Sequence, residues 1–255
     1  MKRWAIGSIA FLAALLVGSL AAYFPNINNV ALSETGASGR PTLAVDNSSE
    51  EKPQLNSEEG MDDYVEYFVD DERIGRQRKN KVEMRCIGRG SNKTADIDFF
   101  SRTKDGSWII RQSFKLTRDN LMACSPEVKD FNNDGFGDLT FVSSTAARGA
   151  NELRTVLIYD HSKDELVHIK NSAEYPNLEY NKKLDCLDSW MFHGSTSTVF
   201  LRIEGDELKE FASVDTGAEL TVRVLRGDRW IETYRRKMSL DDVYTRYSTY
   251  DPPRP

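Results

Sequence analysis

The sequence predicts an all-β protein: an antiparallel β-sandwich, or a barrel- or propeller-like domain, of about nine or ten strands with a short C-terminal helix. Two observations carry that expectation. Short runs alternating apolar and polar residues, such as "KVEMRCIG", "TADIDFF" and "ELTVRVLRG", recur from Val82 onward. Turn dipeptides separate them at near-regular intervals: Asp105-Gly106, Gly205-Asp206, Thr216-Gly217 and Gly227-Asp228.

The chain begins with Lys2 and Arg3, followed by an uncharged stretch from Ala5 to Phe24. Residues 1–24 therefore read either as a secretory signal peptide with small residues near Ser19–Tyr23, or as an uncleaved membrane anchor. Both alternatives export the rest, to the periplasm or beyond the cell, and only this segment would touch a membrane. Residues 25–60 are rich in Ser, Gly, Pro, Asn and Glu. They read as a disordered linker, unable to bury enough apolar surface to offset the entropy of ordering. The β-rich, calcium-binding domain is expected over 61–250. Its opening run "DDYVEYFVDD" fits a short helix or a strand equally well.

Strands are then expected in "WIIRQSFKL", "LTFVSST", "ELRTVLIYD", "LVHIK", "TVFLRIEG", "ELKEFASVD" and "RWIETYRRKM". The stretch Asn171–Ser197 is long for a loop in a compact domain, so it should be functional or partly structured. Near the C-terminus, Ser239 is a candidate N-cap with Asp241 and Asp242 in the first turn. Tyr244, Tyr247 and Tyr250 would share one packed face of that helix.

Net charge is −6 and the isoelectric point about 5.3, a balance that argues against nucleic-acid binding. The three cysteines are Cys86, Cys124 and Cys186. Cys86 alternates with Val82 and Met84 and reads as a buried thiol. Cys124 and Cys186 lie in loop-like sequence and are the candidate disulfide pair. The histidines His161, His168 and His193 are scattered along the chain. No catalytic triad, histidine metal site or phosphate-cradling glycine loop is apparent, so the domain is expected to be non-enzymatic.

The most specific feature is "KDFNNDGFGDLTF", Lys129–Phe141. Calcium takes six to eight hard oxygen ligands, and a linear loop supplies them from alternate positions. Asp130, Asn132 and Asp134 occupy positions 1, 3 and 5. Gly135 at position 6 permits the turn, the Phe136 carbonyl falls at 7 and Asp138 at 9. Phe141 stands where an EF-hand has its bidentate Glu, and the flanks read as strands. The expectation is a strand-loop-strand calcium site closed by Asp138.

This stretch, followed by "VLIYDHSKDELVHI", resembles the FG-GAP/VCBS-type loop pattern "DFNxDGxxDL". Together with "HGSTSTVFLRIEGDELKEF", it is similar to bacterial periplasmic calcium-binding proteins of the kind that inhibit invertebrate-type lysozymes. Some of these are immunity proteins against peptidoglycan-cleaving effectors. The resemblance spans roughly Ser125 to Val214. It implies that a glycine-containing loop between two strands enters the active-site cleft of a lysozyme-like hydrolase. The matching stretch is Met191–Thr198, which has neither the Arg nor the Tyr often found near that tip. Gly194 would turn the chain, Trp190, Phe192 and His193 would supply bulk, and Ser195, Thr196 and Ser197 would hydrogen-bond carboxylates. The competing role is a calcium-stabilised adhesion or scaffold module of the cell envelope.

Overall fold

Alternation of apolar residues at every second position forms strands because successive side chains leave the backbone on opposite faces. The computed structural model describes residues 64–89, 92–119 and 123–255. The chain divides into residues 1–54 and 55–255, and all described residues belong to the second unit. The expected signal peptide or anchor and most of the expected linker lie in the first unit, and both lie wholly outside the described residues. Among the described residues no helix is long and apolar enough to cross a membrane.

Three antiparallel meanders follow one another along the chain. The first contains β1 (Tyr64–Asp70), β2 (Asn80–Arg89), β3 (Asn92–Arg102) and β4 (Trp108–Thr117) in sequential order. The second contains β5 (Glu127–Lys129), β6 (Asp138–Ala146), β7 (Asn151–Asp160) and β8 (Glu165–Ile169), again in order. The third has six strands: β9 (Leu178–Asn181), β10 (Cys186–Phe192), β11 (Thr196–Glu204), β12 (Glu207–Thr216), β13 (Glu219–Arg226) and β14 (Arg229–Lys237). A small ribbon of β15 (Thr249–Tyr250) and β16 (Pro253–Arg254) ends the chain. The fold is thus all-β and antiparallel, and no sheet closes into a barrel. Each turn dipeptide read from the sequence joins neighbouring strands: β3 to β4, β11 to β12, β12 to β13 and β13 to β14.

Sixteen strands are present among the described residues, more than the nine or ten expected. Several are too short to show a period: β5 has 3 residues, β9 has 4, and β15 and β16 have 2 each. The long stretch from Asn171 is largely structured, since it holds a 3-10 turn (Ser172–Glu174), β9 and β10.

The sheets pack as layers. Between the first two lie Val82, Met84, Ile97 and Phe99 from one side and Leu139, Phe141, Leu157 and Tyr159 from the other. Val156, Ile158 and Ile169 leave the opposite face of the second sheet to meet Leu178, Leu187, Val199 and Leu201 of the third. The outer face of the third sheet buries Phe200, Val214, Leu220 and Val222 under Tyr247, with Tyr250 packed alongside. The middle sheet is apolar on both faces, which is why "TVLIY" in β7 reads as a continuous apolar run.

The cysteine pairing differs from expectation. Cys86 is bonded to Cys124, with 6.3 Å between their Cα atoms, and Cys186 is a buried free thiol. Alternation on β2 points Cys86 into the first interlayer core, which also contains Cys124. Cys186 belongs to the apolar cluster on the outer side of the third sheet. The second and third sheets both stand between Cys124 and Cys186, the pair expected from their loop-like sequence.

The expected C-terminal helix is a 3-10 turn, Leu240–Tyr244. The Asp242 carboxylate accepts from the Ser239 backbone N–H at 2.6 Å and its hydroxyl at 2.8 Å. The turn ends at Tyr244, so the three tyrosines share no helix face. Tyr247 is buried, whereas Tyr244 is 71% exposed.

Candidate functional site

Two places collect the residues singled out from the sequence. The acidic loop runs from the end of β5 to the start of β6 and is flanked by strands on both sides. Its backbone needs left-handed conformations at Asn133 (φ 58°) and Gly135 (φ 85°), which Asn and Gly tolerate best. Gly137 is required for a different reason. A Cβ there would lie 2.2 Å from the Arg73 carbonyl oxygen, because the β1–β2 connection crosses against it and the Gly75 N–H donates to the Gly137 carbonyl at 2.8 Å.

Side-chain oxygens hold the loop shut. Asp130 accepts from the Asp134 and Gly135 N–H groups at 3.2 and 2.9 Å. Asn132 Oδ1 also accepts from the Asp134 N–H, and Asp134 accepts from the Phe136 N–H at 2.9 Å. The Phe136 ring stacks on His161 at 5.2 Å and meets Tyr159 edge-on at 5.6 Å, which pins position 7 to the second sheet. Asp138 is fully buried and turned inward, with one oxygen taking the Phe131 N–H and the other the Tyr159 N–H, each at 2.8 Å. Burial pushes its pKa up to about 7 despite those bonds, and the Asp134 and Asp130 charges add to the rise.

These donors fit a hard cation in chemistry and only partly in arrangement. An ionised carboxylate has about four acceptor sites, so an oxygen that takes one N–H keeps a lone pair. Asp130, Asn132 and Asp134 are joined through shared hydrogen bonds, and the Asp138 carboxylate lies behind them. Among the described residues no three His, Cys, Asp or Glu side chains already stand together as a metal cluster.

The second place is the hairpin of β10 and β11. Phe192 pairs with Thr196, and His193, Gly194 and Ser195 make the turn. Gly194 has φ +91°, and a methyl group there would meet nothing within 4 Å, so the conformation and not crowding calls for glycine. Asn151 of β7 clamps the hairpin end by exchanging two hydrogen bonds with the Phe192 backbone, at 2.8 and 2.9 Å. The Asn177 amide holds the Trp190 carbonyl at 2.9 Å. Trp190 meets Phe192 edge-on at 5.2 Å, and Phe192 stacks on Tyr244 at 5.7 Å. Both rings are thus half-buried supports, while the Trp190 indole N–H is buried with no hydrogen-bond partner.

Of the polar residues expected to face a partner, Thr196 and Ser197 are buried and already engaged. Thr196 Oγ1 donates to the Val243 carbonyl at 3.1 Å, and Ser197 Oγ donates to Asp215 at 2.7 Å. Only His193, Gly194 and Ser195 remain at the apex. Sequence reasoning missed Asp215 and Arg223, which brace that apex: the Arg223 guanidinium binds the Asp215 carboxylate at 2.8 Å. The β11–β12 register sets Ser197 opposite Asp215, and the β12–β13 register sets Arg223 opposite Ser213, two residues from Asp215.

No family model matches the chain, and no curated protein matches it. Among solved structures, a Xanthomonas type IV secretion system related protein is similar at 12% identity and a TM-score of 0.42, over 66% of this chain and 93% of that one. An overlap of that quality does not establish a common fold.

Proposed function

We propose that the protein is an exported, calcium-binding, non-enzymatic inhibitor or immunity protein that blocks a lysozyme-like peptidoglycan hydrolase with the β10–β11 hairpin. The observation that supports this most is the hairpin itself. His193 and Gly194 at its apex are exposed, while hydrogen bonds donated by the Asn151 and Asn177 amides, the Thr196 N–H bond to Thr216 Oγ1 and the Phe192–Tyr244 stack hold its base. A loop whose base is fixed before contact loses less conformational entropy when it enters a cleft.

Calcium would be held by Asp130, Asn132, Asp134, the Phe136 carbonyl and the remaining acceptor sites of Asp138. The ion would neutralise carboxylates that otherwise repel one another. Its stabilising effect should show in melting temperature, because a ligand of the native state alone adds RT ln(1 + [L]/Kd). Melting in calcium should exceed melting in chelator by several degrees, and Asp130→Asn with Asp134→Asn should remove the difference. An unchanged melting temperature would sink the calcium assignment.

The role is tested by capture of lysozyme-like hydrolases on the immobilised protein, followed by assays of peptidoglycan cleavage. Inhibition that is lost when His193-Gly194-Ser195 is shortened supports the reading. Failure to bind or inhibit any hydrolase class would end it in favour of the scaffold role, to which three stacked meander sheets are equally suited.

A further inference from the structure

β14 ends the third sheet without packing against the body of the protein. Eight of its nine residues are exposed, and among the described residues no strand lies along its far side. In β4, an edge of the first sheet, exposed and partly buried residues mostly alternate, because one face packs. On β14 neither face does. The core between the second and third sheets draws on β9 to β12 and on no described residue of β13 or β14. Apolar side chains nevertheless stand on both faces of this edge. Leu225 is directly opposite Trp230, and Val224 is opposite Ile231. Directly opposite residues share a face, and successive pairs take opposite faces. Val224 packs on the outer cluster, whereas Trp230 borders a hollow of about 190 Å³ with Met191 and Val199 on the other side. Thr233 is the extra residue of a bulge, which returns Tyr234 to the face of Ile231. Trp230, Ile231 and Tyr234 are 42%, 40% and 41% exposed.

The charges on the same hairpin fall into two groups. Arg223 is paired with Asp215, Arg235 with Glu219 and Glu232, and Arg236 with Asp242. Arg226 and Arg229 face each other across the two-residue turn Gly227-Asp228, and among the described residues neither has an ion pair or hydrogen bond. Like charges directly opposite repel, and no carboxylate of the fold relieves this pair. The stretch Glu219–Lys237 holds six cationic and three acidic side chains, a net charge of +3 in a chain of net −6. A second copy paired antiparallel along β14 would set Arg229 against Lys237, so the charge opposes self-association there. A membrane or a flat protein surface would cover only one face of the ribbon. A strand laid beside β14 would touch both faces, and would take the N–H and C=O groups that alternate residues of an edge strand turn outward.

We propose that β14 is a docking edge for an extended acidic segment of a partner protein, which joins the third sheet as a seventh strand. Its backbone completes the ladder, its carboxylates neutralise Arg226 and Arg229, and its apolar side chains cover Trp230 on one face and Ile231 and Tyr234 on the other. The edge lies apart from the acidic loop and from the β10–β11 apex, and it depends on neither the calcium nor the inhibitor reading.

The test uses the full chain and a fluorescent peptide as long as β14 that alternates Glu with Val. Anisotropy should show binding that weakens as salt is added. With the peptide bound, the β14 amides that point away from β13 should exchange more slowly. Arg226→Glu combined with Arg229→Glu should weaken binding by about tenfold or more. Trp230→Ala should weaken it by up to about fivefold. Both variants should melt as the parent does, because these side chains are exposed and the two arginines hold nothing in the fold. A peptide with Lys in place of Glu should not bind. Nor should one with proline at its central Val, which keeps the charge and cannot complete the ladder. No binding of the Glu peptide, unchanged β14 exchange, or binding that survives the arginine reversal or the proline would each overturn the proposal. Phosphatidylglycerol vesicles and sedimentation at rising protein concentration run alongside. Vesicle binding through Arg226 and Arg229 without peptide binding would make the edge a lipid contact. A dimer abolished by Trp230→Ala would assign it to a second copy. Either result overturns the proposal.

Discussion

At Gly137 the missing side chain is a packing requirement. The strand connection at Arg73–Gly75 occupies the space a methyl would need. Gly137→Ala should lower the denaturant midpoint by an amount equivalent to about 2–3 kcal/mol, at the upper end of ordinary overpacking. Gly135→Ala, with open space around it, should cost only the strain of a positive φ. Asp242 is the clearest single carboxylate. The Arg236 guanidinium, first, and the Tyr247 hydroxyl and Ser239 hold its pKa far below the usual carboxylate range, against the opposing effect of burial. A depressed folded pKa means that the unfolded chain binds the proton more tightly, so stability falls as pH drops below about 4. Asp242→Asn should cost about 2–3 kcal/mol near pH 7. The gap between parent and variant in urea titrations should shrink progressively below pH 4. Asp241 and Asp242 were both legible as first-turn acids, but only the fold brings Arg236 to Asp242, at 2.7 Å.

Elements differ in how much of them the sequence discloses. The acidic loop lies where its spacing put it, between two strands, because Asp, Asn and Gly in that order hydrogen-bond their own backbone without help from afar. The hairpin position came from the family resemblance, which matched Met191–Thr198 to a loop between two strands, whereas local pattern alone left β10 inside a long loop-like stretch. Its working surface was not legible, since Thr196 and Ser197 look as available as Ser195 until their cross-strand partners are known. The disulfide is the element-scale error. Cys86 sits on an inward strand face and Cys124 under the same core, a meeting of segments 38 residues apart that neither local pattern encodes. Closing a loop of that length restricts the unfolded chain by roughly 3–4 kcal/mol in the chain-entropy account. Thiol titration of the unfolded, unreduced protein should find one reactive cysteine, Cys186. Reductant should lower the melting temperature, and Cys186→Ser should leave that response intact.

For the whole molecule, the governing fact is the layering of three open sheets. The second sheet has no solvent face, so β7 is buried on both sides. Leu157→Ala should damage the first interlayer core and Ile158→Ala the second. Each should cost about 2–5 kcal/mol in equilibrium unfolding, despite facing opposite directions. In a single two-layer sandwich, one of the two would be a surface residue with little effect. The acidic loop and the hairpin both attach to this middle sheet, through Phe136 on Tyr159 and through Asn151 at the hairpin end. Loss of the middle core should therefore loosen both places together.

By itself the sequence determined the strand character, most of the turns and the acidic loop, because each is decided within about ten residues by alternation, glycine and short polar side chains. The tertiary structure decided what those pieces meet. It set Cys86 against Cys124, placed Asp215 under Ser197, turned Asp138 inward, and left His193, Gly194 and Ser195 alone at the apex. Those outcomes depend on strand register and sheet stacking, in which a shift of one residue exchanges the two faces of a strand.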